Sequence, residues 1–180
     1  MRMITWLRSH RVAANLAGAA ICFALFGYAL YAAHPKDLGG LGLEPCPLCI
    51  FQRIAVVALG VAFVLAALLS VPRARAAGCV AVVLVTLAAS AGAGVAGRHV
   101  YIQSQPAGSI PACGATLEYM MDVFPVMYVL RKVLTGSGEC SKIDWSFLGL
   151  SMPGWVLLWA LALGTVGVII NWPRRRSAAA

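Results

Sequence analysis

The chain enters an uncharged apolar segment through a stretch with two cysteines and an arginine, Glu44-Pro45-Cys46-Pro47-Leu48-Cys49-Ile50-Phe51-Gln52-Arg53. The segment continues at once as Ile54-Ala55-Val56-Val57-Ala58-Leu59-Gly60-Val61. A helix needs about 20 mostly apolar residues to cross the hydrocarbon core of a bilayer. Residues 50–71 meet that length, so the cysteine pair lies at the mouth of a predicted membrane-spanning helix.

Composition places the whole chain in the membrane. Of 180 residues, 61% are hydrophobic and 11% are charged, whereas soluble domains carry roughly 25% charged residues. Four segments are long and apolar enough to span a bilayer: residues 12–33, 50–71, 76–97 and 153–172. The first exceeds the apolar core of a cleaved signal peptide, about 7 to 15 residues, so we interpret it as a retained anchor. The predicted fold is an all-α bundle of four transmembrane helices.

Basic residues predict the orientation, because short loops rich in Lys and Arg stay in the cytoplasm. Residues 1–11, the turn 72–75 and residues 173–180 hold eight arginines and no acidic residue, so we expect both termini inside. The short segment 34–49 and the long segment 98–152 then face outward. With Arg53 they carry six cations and six acids, which leaves the net charge of +8 on the inner face. This pattern already explains the arginines, so we expect no nucleic-acid binding.

The six cysteines fall into two groups according to their position in the chain. Cys22 and Cys79 fall inside predicted spans, where a thiol behaves as a small apolar side chain, and we expect both to be packing residues. The other four lie on the outward side: Cys46, Cys49, Cys113 and Cys140. They predict either redox-active disulfides or static structural bonds. A zinc site joining all four thiols is disfavoured, because structural zinc sites normally show two closely spaced ligand pairs.

The opening motif predicts an activated thiol. Pro47 suits the first position of a helix, which makes Cys46 the N-cap and Cys49 the third helical residue. The positive end of a helix and a nearby guanidinium both stabilise a thiolate, and Arg53 follows Cys49 by four residues on the same helix face. The alternative is that Arg53 only extends toward the lipid headgroups.

The second pair of outward cysteines lies in a segment suited to movement. Cys113 and Cys140 are separated by 26 residues that include Gly136-Ser137-Gly138. A mobile pair and a pair fixed at the membrane boundary predict a relay in which electrons enter at the loop and leave into the lipid. Since thiol-disulfide exchange moves two electrons at a time, the residues predict a membrane thiol oxidase with a hydrophobic two-electron acceptor such as a quinone.

Two motifs together resemble the DsbB family of disulfide bond formation proteins. The first is Pro45-Cys46-Pro47-Leu48-Cys49-Ile50-Phe51-Gln52-Arg53, and the second is Gly138-Glu139-Cys140 with Trp145-Ser146-Phe147-Leu148-Gly149-Leu150-Ser151-Met152-Pro153-Gly154-Trp155. The resemblance covers nearly the whole chain. It implies a four-helix protein of the bacterial inner membrane that reoxidises a DsbA-like dithiol oxidase in the periplasm, with ubiquinone or menaquinone as electron acceptor and no metal.

The resemblance also implies roles for the four outward cysteines and for Arg53. Cys113 forms the mixed disulfide with the partner, and Cys140 then attacks Cys46 in the Cys46–Cys49 disulfide. Cys49 is thereby released beside the quinone, where Arg53 stabilises the thiolate and the reduced ring.

His99, in a His-x-x-x-Gln context with Gln103, resembles a histidine that the family places near the quinone. The alternative is an ordinary interfacial histidine at a helix end. Within the long outward segment we expect little regular structure except at residues 124–134, which form either a short helix in the membrane surface or a segment packed on the bundle.

Two rival functions stay open at this point. A small membrane scaffold would use its cysteines only as structural disulfides and would bind no quinone. A vitamin K epoxide reductase-like protein would share four helices and quinone chemistry. Its active Cys-x-x-Cys comes in the last helix, however, whereas here the motif opens the second.

Overall fold

The structure is a computed structural model that describes residues 2–71, 74–106, 117–136 and 138–173. Seven α-helices lie in these ranges: α1 (Arg2–Ser9), α2 (Arg11–Ala33), α3 (Pro47–Leu69), α4 (Arg75–Gln103), α5 (Leu117–Val123), α6 (Val126–Thr135) and α7 (Met152–Asn171). Short 3-10 helices occupy Lys36–Leu38 and Gly138–Ser141. Strands β1 (Ser146–Phe147) and β2 (Leu150–Ser151) pair antiparallel.

Four of these helices, α2, α3, α4 and α7, are long and apolar enough to cross a membrane. This confirms the predicted class of fold, a helical membrane protein with four spanning segments. Helix α4 runs six residues beyond the predicted span that ends at residue 97. No proline interrupts the chain there until Pro106, and the extension places His99 inside a helix rather than in a loop.

The outward segment has more regular structure than we predicted. Besides α6, it contains α5 and the β1–β2 hairpin, so the expectation of a single ordered stretch was wrong. The hairpin turns at Leu148 and Gly149, whose φ angles are +50° and +79°. Positive φ at both central residues is the type I′ geometry that matches the twist of paired strands. The indole of Trp155 donates to the Phe147 carbonyl at 3.1 Å, which ties the hairpin to α7.

The chain divides into two compact units. The first, the Asn15 unit, comprises Met1–Phe26, Ala55–Ala91 and Ala160–Ala180. Its largest fully buried side chain is Phe63. A methyl group at Gly18 of α2 or at Gly167 of α7 would lie 3.0 Å from the Phe63 ring. Small residues on two helices therefore make room for one aromatic ring, as is common between membrane helices.

A pair of amides joins the first and last spanning helices in this unit. Asn15 donates to the Asn171 side-chain oxygen at 3.0 Å, and Asn171 donates back at 2.9 Å. Both side chains are buried, with exposures of 0% and 1%. Asn171 also donates to the Gly167 carbonyl at 2.9 Å. Reciprocal amide bonds of this kind link helices where water is scarce.

The two cysteines inside the spans differ in environment. Cys22 is buried in the Asn15 unit, as expected for a packing residue. Cys79 is exposed on α4, so the expectation that it packs inside the protein was wrong. A small thiol is compatible with a lipid-facing position because it behaves as an apolar side chain.

The second unit, the Cys46 unit, comprises Gly27–Ile54 and Gly92–Trp159. It holds residues 27–33 of α2, 47–54 of α3, 92–103 of α4 and 152–159 of α7, together with the segments that connect them. Its buried core groups six residues from five elements: Leu48, Ile102, Met120, Val129, Val133 and Cys140. Residues 124–134 therefore include a helix, α6, which packs on this core through Val129 and Val133.

Candidate active site

The start of α3 brings the sulfurs of Cys46 and Cys49 together. The Ile50 amide donates to the Cys46 carbonyl at 3.2 Å, which closes the first helical turn. The Cys49 amide donates to the Cys46 sulfur at 3.4 Å, so this thiol takes the place of the usual capping oxygen. The prediction that Cys46 is the N-cap is confirmed. The two sulfurs are 3.0 Å apart as thiols, and a disulfide requires about 2.05 Å.

Cys140 is the third thiol of the site. The 3-10 helix Gly138–Ser141 holds it at 1% exposure, in hydrogen-bonding contact with the Cys46 thiol. This contact, then the contact with Cys49, then burial, raise the pKa of Cys46 above its usual range. A proton on Cys46 is shared with sulfur neighbours on two sides, so removing it is costly. Within the dithiol form, Cys46 is therefore a proton donor to its neighbours.

His99 lies beside these thiols, and both of its ring nitrogens have polar neighbours. Its Nε2 is 3.0 Å from the Cys140 carbonyl oxygen and 3.8 Å from the Cys46 sulfur. A carbonyl can only accept, so Nε2 donates to it, and Nδ1 lies 3.1 Å from the Gln52 side-chain amide nitrogen. At 2% exposure, this is a buried and fixed imidazole. Its predicted place near an electron acceptor stays a prediction.

Gln52 is the site residue that the sequence analysis named only as part of a motif. It is 3% exposed and lies on α3, one turn after Cys49. The available signal was a polar side chain inside an apolar span, which is by default a functional candidate. Its amide contacts Nδ1 of His99, while the Cys140 carbonyl contacts Nε2, so the ring is held at both nitrogens.

An apolar cover and a cation stabilise the loop side of the site. Helix α6 contributes Val129 and Val133 to the core around Cys140. Arg98 of α4 donates to the carbonyls of Leu134 and Thr135 at 2.9 and 3.0 Å. These carbonyls lie at the C-terminal end of α6, where a cation is favourable. The cover over Cys140 is thus attached to the spanning helix that carries His99.

Gln103 positions the chain that follows Cys140. Its side-chain oxygen accepts from the Ser151 hydroxyl at 2.6 Å, and its amide donates to the Lys142 carbonyl at 3.4 Å. The His-x-x-x-Gln pattern therefore places two polar side chains of α4, about one helical turn apart, against the same segment. Both act on backbone near Cys140.

Two other predicted site residues have separate outcomes. Arg53 is half-buried on α3, and its guanidinium donates to the Ala29 carbonyl of α2 at 2.9 Å. Its role toward an electron acceptor stays a prediction. Cys113 lies outside the described residues, so its pairing with Cys140 also stays a prediction.

A sulfur with two sulfur neighbours, at the mouth of a spanning helix, can exchange one disulfide partner for the other. The fold and the site therefore define a membrane thiol oxidoreductase. Comparison with known sequences agrees. The family described as "Disulfide bond formation protein DsbB" matches residues 11–170. The chain belongs to the DsbB family, as the resemblance predicted, and is a multi-pass membrane protein that forms disulfide bonds.

Individual relatives cover most of the chain. A protein named disulfide bond formation protein B from Xanthomonas axonopodis pv. citri is 45% identical over 162 residues, 90% of this chain and 91% of the relative. The protein of the same name from Methylococcus capsulatus is 44% identical over 161 residues, 89% of this chain and 94% of the relative. That from Nitrosococcus oceani is 48% identical over 128 residues, 70% and 73% of the two chains.

Proposed function

We propose that this protein reoxidises a periplasmic DsbA-like dithiol oxidase and delivers the electrons to a membrane quinone, ubiquinone or menaquinone. It would thereby sustain disulfide formation in periplasmic proteins. The observation that carries the proposal is the position of the Cys46 sulfur, 3.0 Å from Cys49 and in contact with Cys140. A relay between two disulfides needs one sulfur that can bond to either neighbour.

The first exchange takes place at the loop pair. A thiolate of the partner attacks Cys113 in a Cys113–Cys140 disulfide, and Cys140 leaves as a thiolate. The partner's second thiol then displaces Cys113, so the partner leaves as a disulfide. Two electrons and two protons now reside on Cys113 and Cys140 as thiols.

The second exchange uses the contact seen in the structure. Cys140 attacks Cys46 in a Cys46–Cys49 disulfide, and Cys49 leaves as a thiolate at the start of α3, where the helix end stabilises negative charge. Cys113 then attacks Cys140 and restores the loop disulfide, which leaves Cys46 and Cys49 as the dithiol. Attack on Cys46 rather than Cys49 follows from the contact of Cys140 with Cys46.

The quinone supplies a two-electron, two-proton acceptor that diffuses in the lipid. The residues present suit such a molecule at Cys49, Arg53 and His99. Arg53 has five N–H donors, and one is used by Ala29. The next residue, Ile54, is 59% exposed, so a ring arriving from the lipid meets an apolar surface beside a cation. The Nε2 hydrogen of His99 is the proton donor nearest to Cys46 on α4.

We further propose that the protein resides in the bacterial inner membrane with the Cys46 unit toward the periplasm. The arginines of residues 1–11, 72–75 and 173–180 support this orientation by the positive-inside rule. A periplasmic position also supplies the oxidising compartment in which disulfides persist.

The test is turnover with purified components. The protein, a reduced DsbA-like oxidase and a soluble quinone analogue are mixed, and quinone reduction is followed by absorbance. We expect turnover with the parent and none with Cys46→Ser, Cys49→Ser or Cys140→Ser. Normal turnover in any of these three variants would contradict the relay.

A trapping experiment tests the entry point. The partner carries a replacement of its second cysteine, and this protein keeps both of its disulfides, because a thiolate forms a mixed disulfide only by displacing a sulfur from an existing disulfide. We expect a stable mixed disulfide at Cys113, located by peptide mapping. A link found mainly at Cys46 or Cys49 would reverse the assigned direction of electron flow.

A further inference from the structure

The thiols of the dithiol form and the nearby imidazole make a compact set of soft ligands. The sulfurs of Cys46 and Cys49 and a ring nitrogen of His99 all lie within 4.8 Å of one another. The two sulfurs are 3.0 Å apart, and Cys46 is 3.8 Å from Nε2. In a tetrahedral zinc site, with Zn–S of about 2.3 Å, sulfurs are about 3.8 Å apart. The thiols need to separate by less than about 1 Å to reach that geometry.

We propose that the dithiol form of this protein binds one thiophilic divalent cation, Zn²⁺ above all, through Cys46, Cys49 and His99. Three protein ligands and one further position are the usual composition of an open zinc site. Binding exchanges two thiol protons for the ion and transfers no electrons. The ion also suits its surroundings, because two thiolates, a neutral imidazole and Zn²⁺ sum to zero charge, which lowers the cost of a site with little water.

Gln52 is positioned to support the metal-binding form of His99. Zinc requires a bare Nε2, so the ring must release the Cys140 carbonyl and carry its hydrogen on Nδ1. Nδ1 faces the Gln52 amide at 3.1 Å. Turning the amide over presents its oxygen to that hydrogen, and a carbonyl oxygen behind a zinc-bound histidine is the usual outer partner. The same residue can therefore hold either tautomer.

The functional consequence rests on the proposed function. A Cys46–Cys49 disulfide offers no thiolate, so the ion distinguishes the reduced form of the site from the oxidised form. Zn²⁺ would occupy the dithiol between its reduction by Cys140 and its reoxidation by the acceptor. Free zinc would then inhibit turnover in a reversible manner.

Metal binding is measured on the purified full chain in detergent, without partner or quinone. The protein is reduced, freed of reductant under oxygen-free conditions and titrated with Co²⁺, whose absorption reports tetrahedral thiolate ligation. Zn²⁺ is then added to displace the Co²⁺. We expect one ion per chain for the reduced protein and none for the oxidised protein. Absence of saturable binding to the reduced protein, or equal binding to the oxidised protein, would overturn the proposal.

Variants identify the ligands. Cys46→Ser, Cys49→Ser and His99→Gln should each weaken binding by at least about tenfold, and Gln52→Ala should weaken it by about 10- to 100-fold with all three ligands intact. The matched controls replace residues of the same types elsewhere: Cys22→Ser, Cys79→Ser and His34→Gln. These should bind as the parent does, and loss of binding in a control comparable to that in the ligand variants would overturn the assignment. Gln52→Ala keeps the test decisive should a ligand variant fail to fold.

The metal site and the disulfide relay can be refuted independently of each other. Turnover of metal-free protein with no Co²⁺ binding would refute the metal site and leave the relay intact. Co²⁺ binding without turnover would refute the relay and leave the metal site intact. If both hold, Zn²⁺ should inhibit turnover and a chelator should restore it. Turnover that is unaffected at zinc concentrations that saturate the reduced protein would refute inhibition through this site.

Discussion

Gly136 lies four residues before Cys140, and we predict that its backbone conformation positions Cys140, which replacement by alanine tests. It ends α6 with φ +88° and ψ +154°, and its amide donates to the Val133 carbonyl. This region of backbone conformation is essentially restricted to glycine. A Cβ at this position would also overlap Cδ1 of Ile102, a core residue of the Cys46 unit that packs with Cys140. Gly136→Ala therefore combines backbone strain with a steric clash.

The magnitude follows from the two causes. Backbone strain costs about 1–3 kcal/mol, and forcing an extra methyl into a packed core costs about 1–3 kcal/mol, so we expect roughly 2–6 kcal/mol of destabilisation. Gly149→Ala is the matched control, because Gly149 also has positive φ but nothing lies within 4 Å of its Cβ position. Its free energy of unfolding should fall only by the cost of the backbone strain, about 1–2 kcal/mol.

A double-mutant cycle isolates the clash. Ile102→Val removes the Cδ1 atom and costs about 1 kcal/mol alone. In the Gly136→Ala background the same change relieves the overlap, so the two losses should fall short of additivity by about 1–2 kcal/mol. The free energy of unfolding in detergent is measured for all four proteins. If Gly136→Ala is no worse than Gly149→Ala, or if the cycle is additive, the reasoning is refuted.

The same variants have a functional readout. In a Cys49→Ala, Cys113→Ala background, oxidation should link Cys46 to Cys140, because these thiols are in contact. We expect Gly136→Ala to lower the yield of that disulfide, and Ile102→Val to restore part of it. An unchanged yield would mean that Cys140 is positioned independently of the residue that ends α6.

Three further predictions follow from other contacts. Asn171→Leu should cost about 1–3 kcal/mol in unfolding free energy, since it leaves the buried Asn15 amide without this partner. Adding Asn15→Leu should recover part of that loss, and an unaffected single variant would refute the pair's contribution. A Cys22→Ala, Cys79→Ala protein should keep turnover close to that of the parent, whereas its loss in a folded protein would contradict our division of the cysteines. Arg53→Ala should raise the apparent KM for quinone by about 10- to 100-fold, the worth of a hydrogen bond to a charged group. The Arg53→Ala protein should still transfer one preformed disulfide to the partner. An unchanged KM would mean that Arg53 contributes only its hydrogen bond to the Ala29 carbonyl.

Sequence sufficed for features that depend on local composition. The four spans follow from length and apolar content alone, because a single segment of about 20 apolar residues satisfies its own backbone hydrogen bonds across a bilayer as a helix. The N-cap role of Cys46 follows from Pro47, which is suited to the first helical position. Both are determined within a few residues of chain.

Contacts between segments that are far apart in the chain could not be predicted from the sequence. His99 meets the Cys140 carbonyl across 41 positions and Gln52 across 47. No periodicity specifies such pairings, because they depend on how helices pack and where a loop returns. The expectation for Cys79 failed for a related reason: residence in an apolar helix does not decide which face of the helix a residue occupies.

The Asn15–Asn171 pair makes the final hydrogen bonding of the first spanning helix depend on insertion of the last one. The two residues are 156 positions apart, so the first spanning helix is made long before its amide partner exists. An unsatisfied amide in hydrocarbon costs several kcal/mol. The first helix therefore acquires its final hydrogen bonds only after the last helix has entered the membrane. A truncated chain that lacks α7 deprives the Asn15 side-chain oxygen of its Asn171 donor and leaves the Asn15 amide nitrogen with its longer bond to the Ser70 hydroxyl, at 3.4 Å.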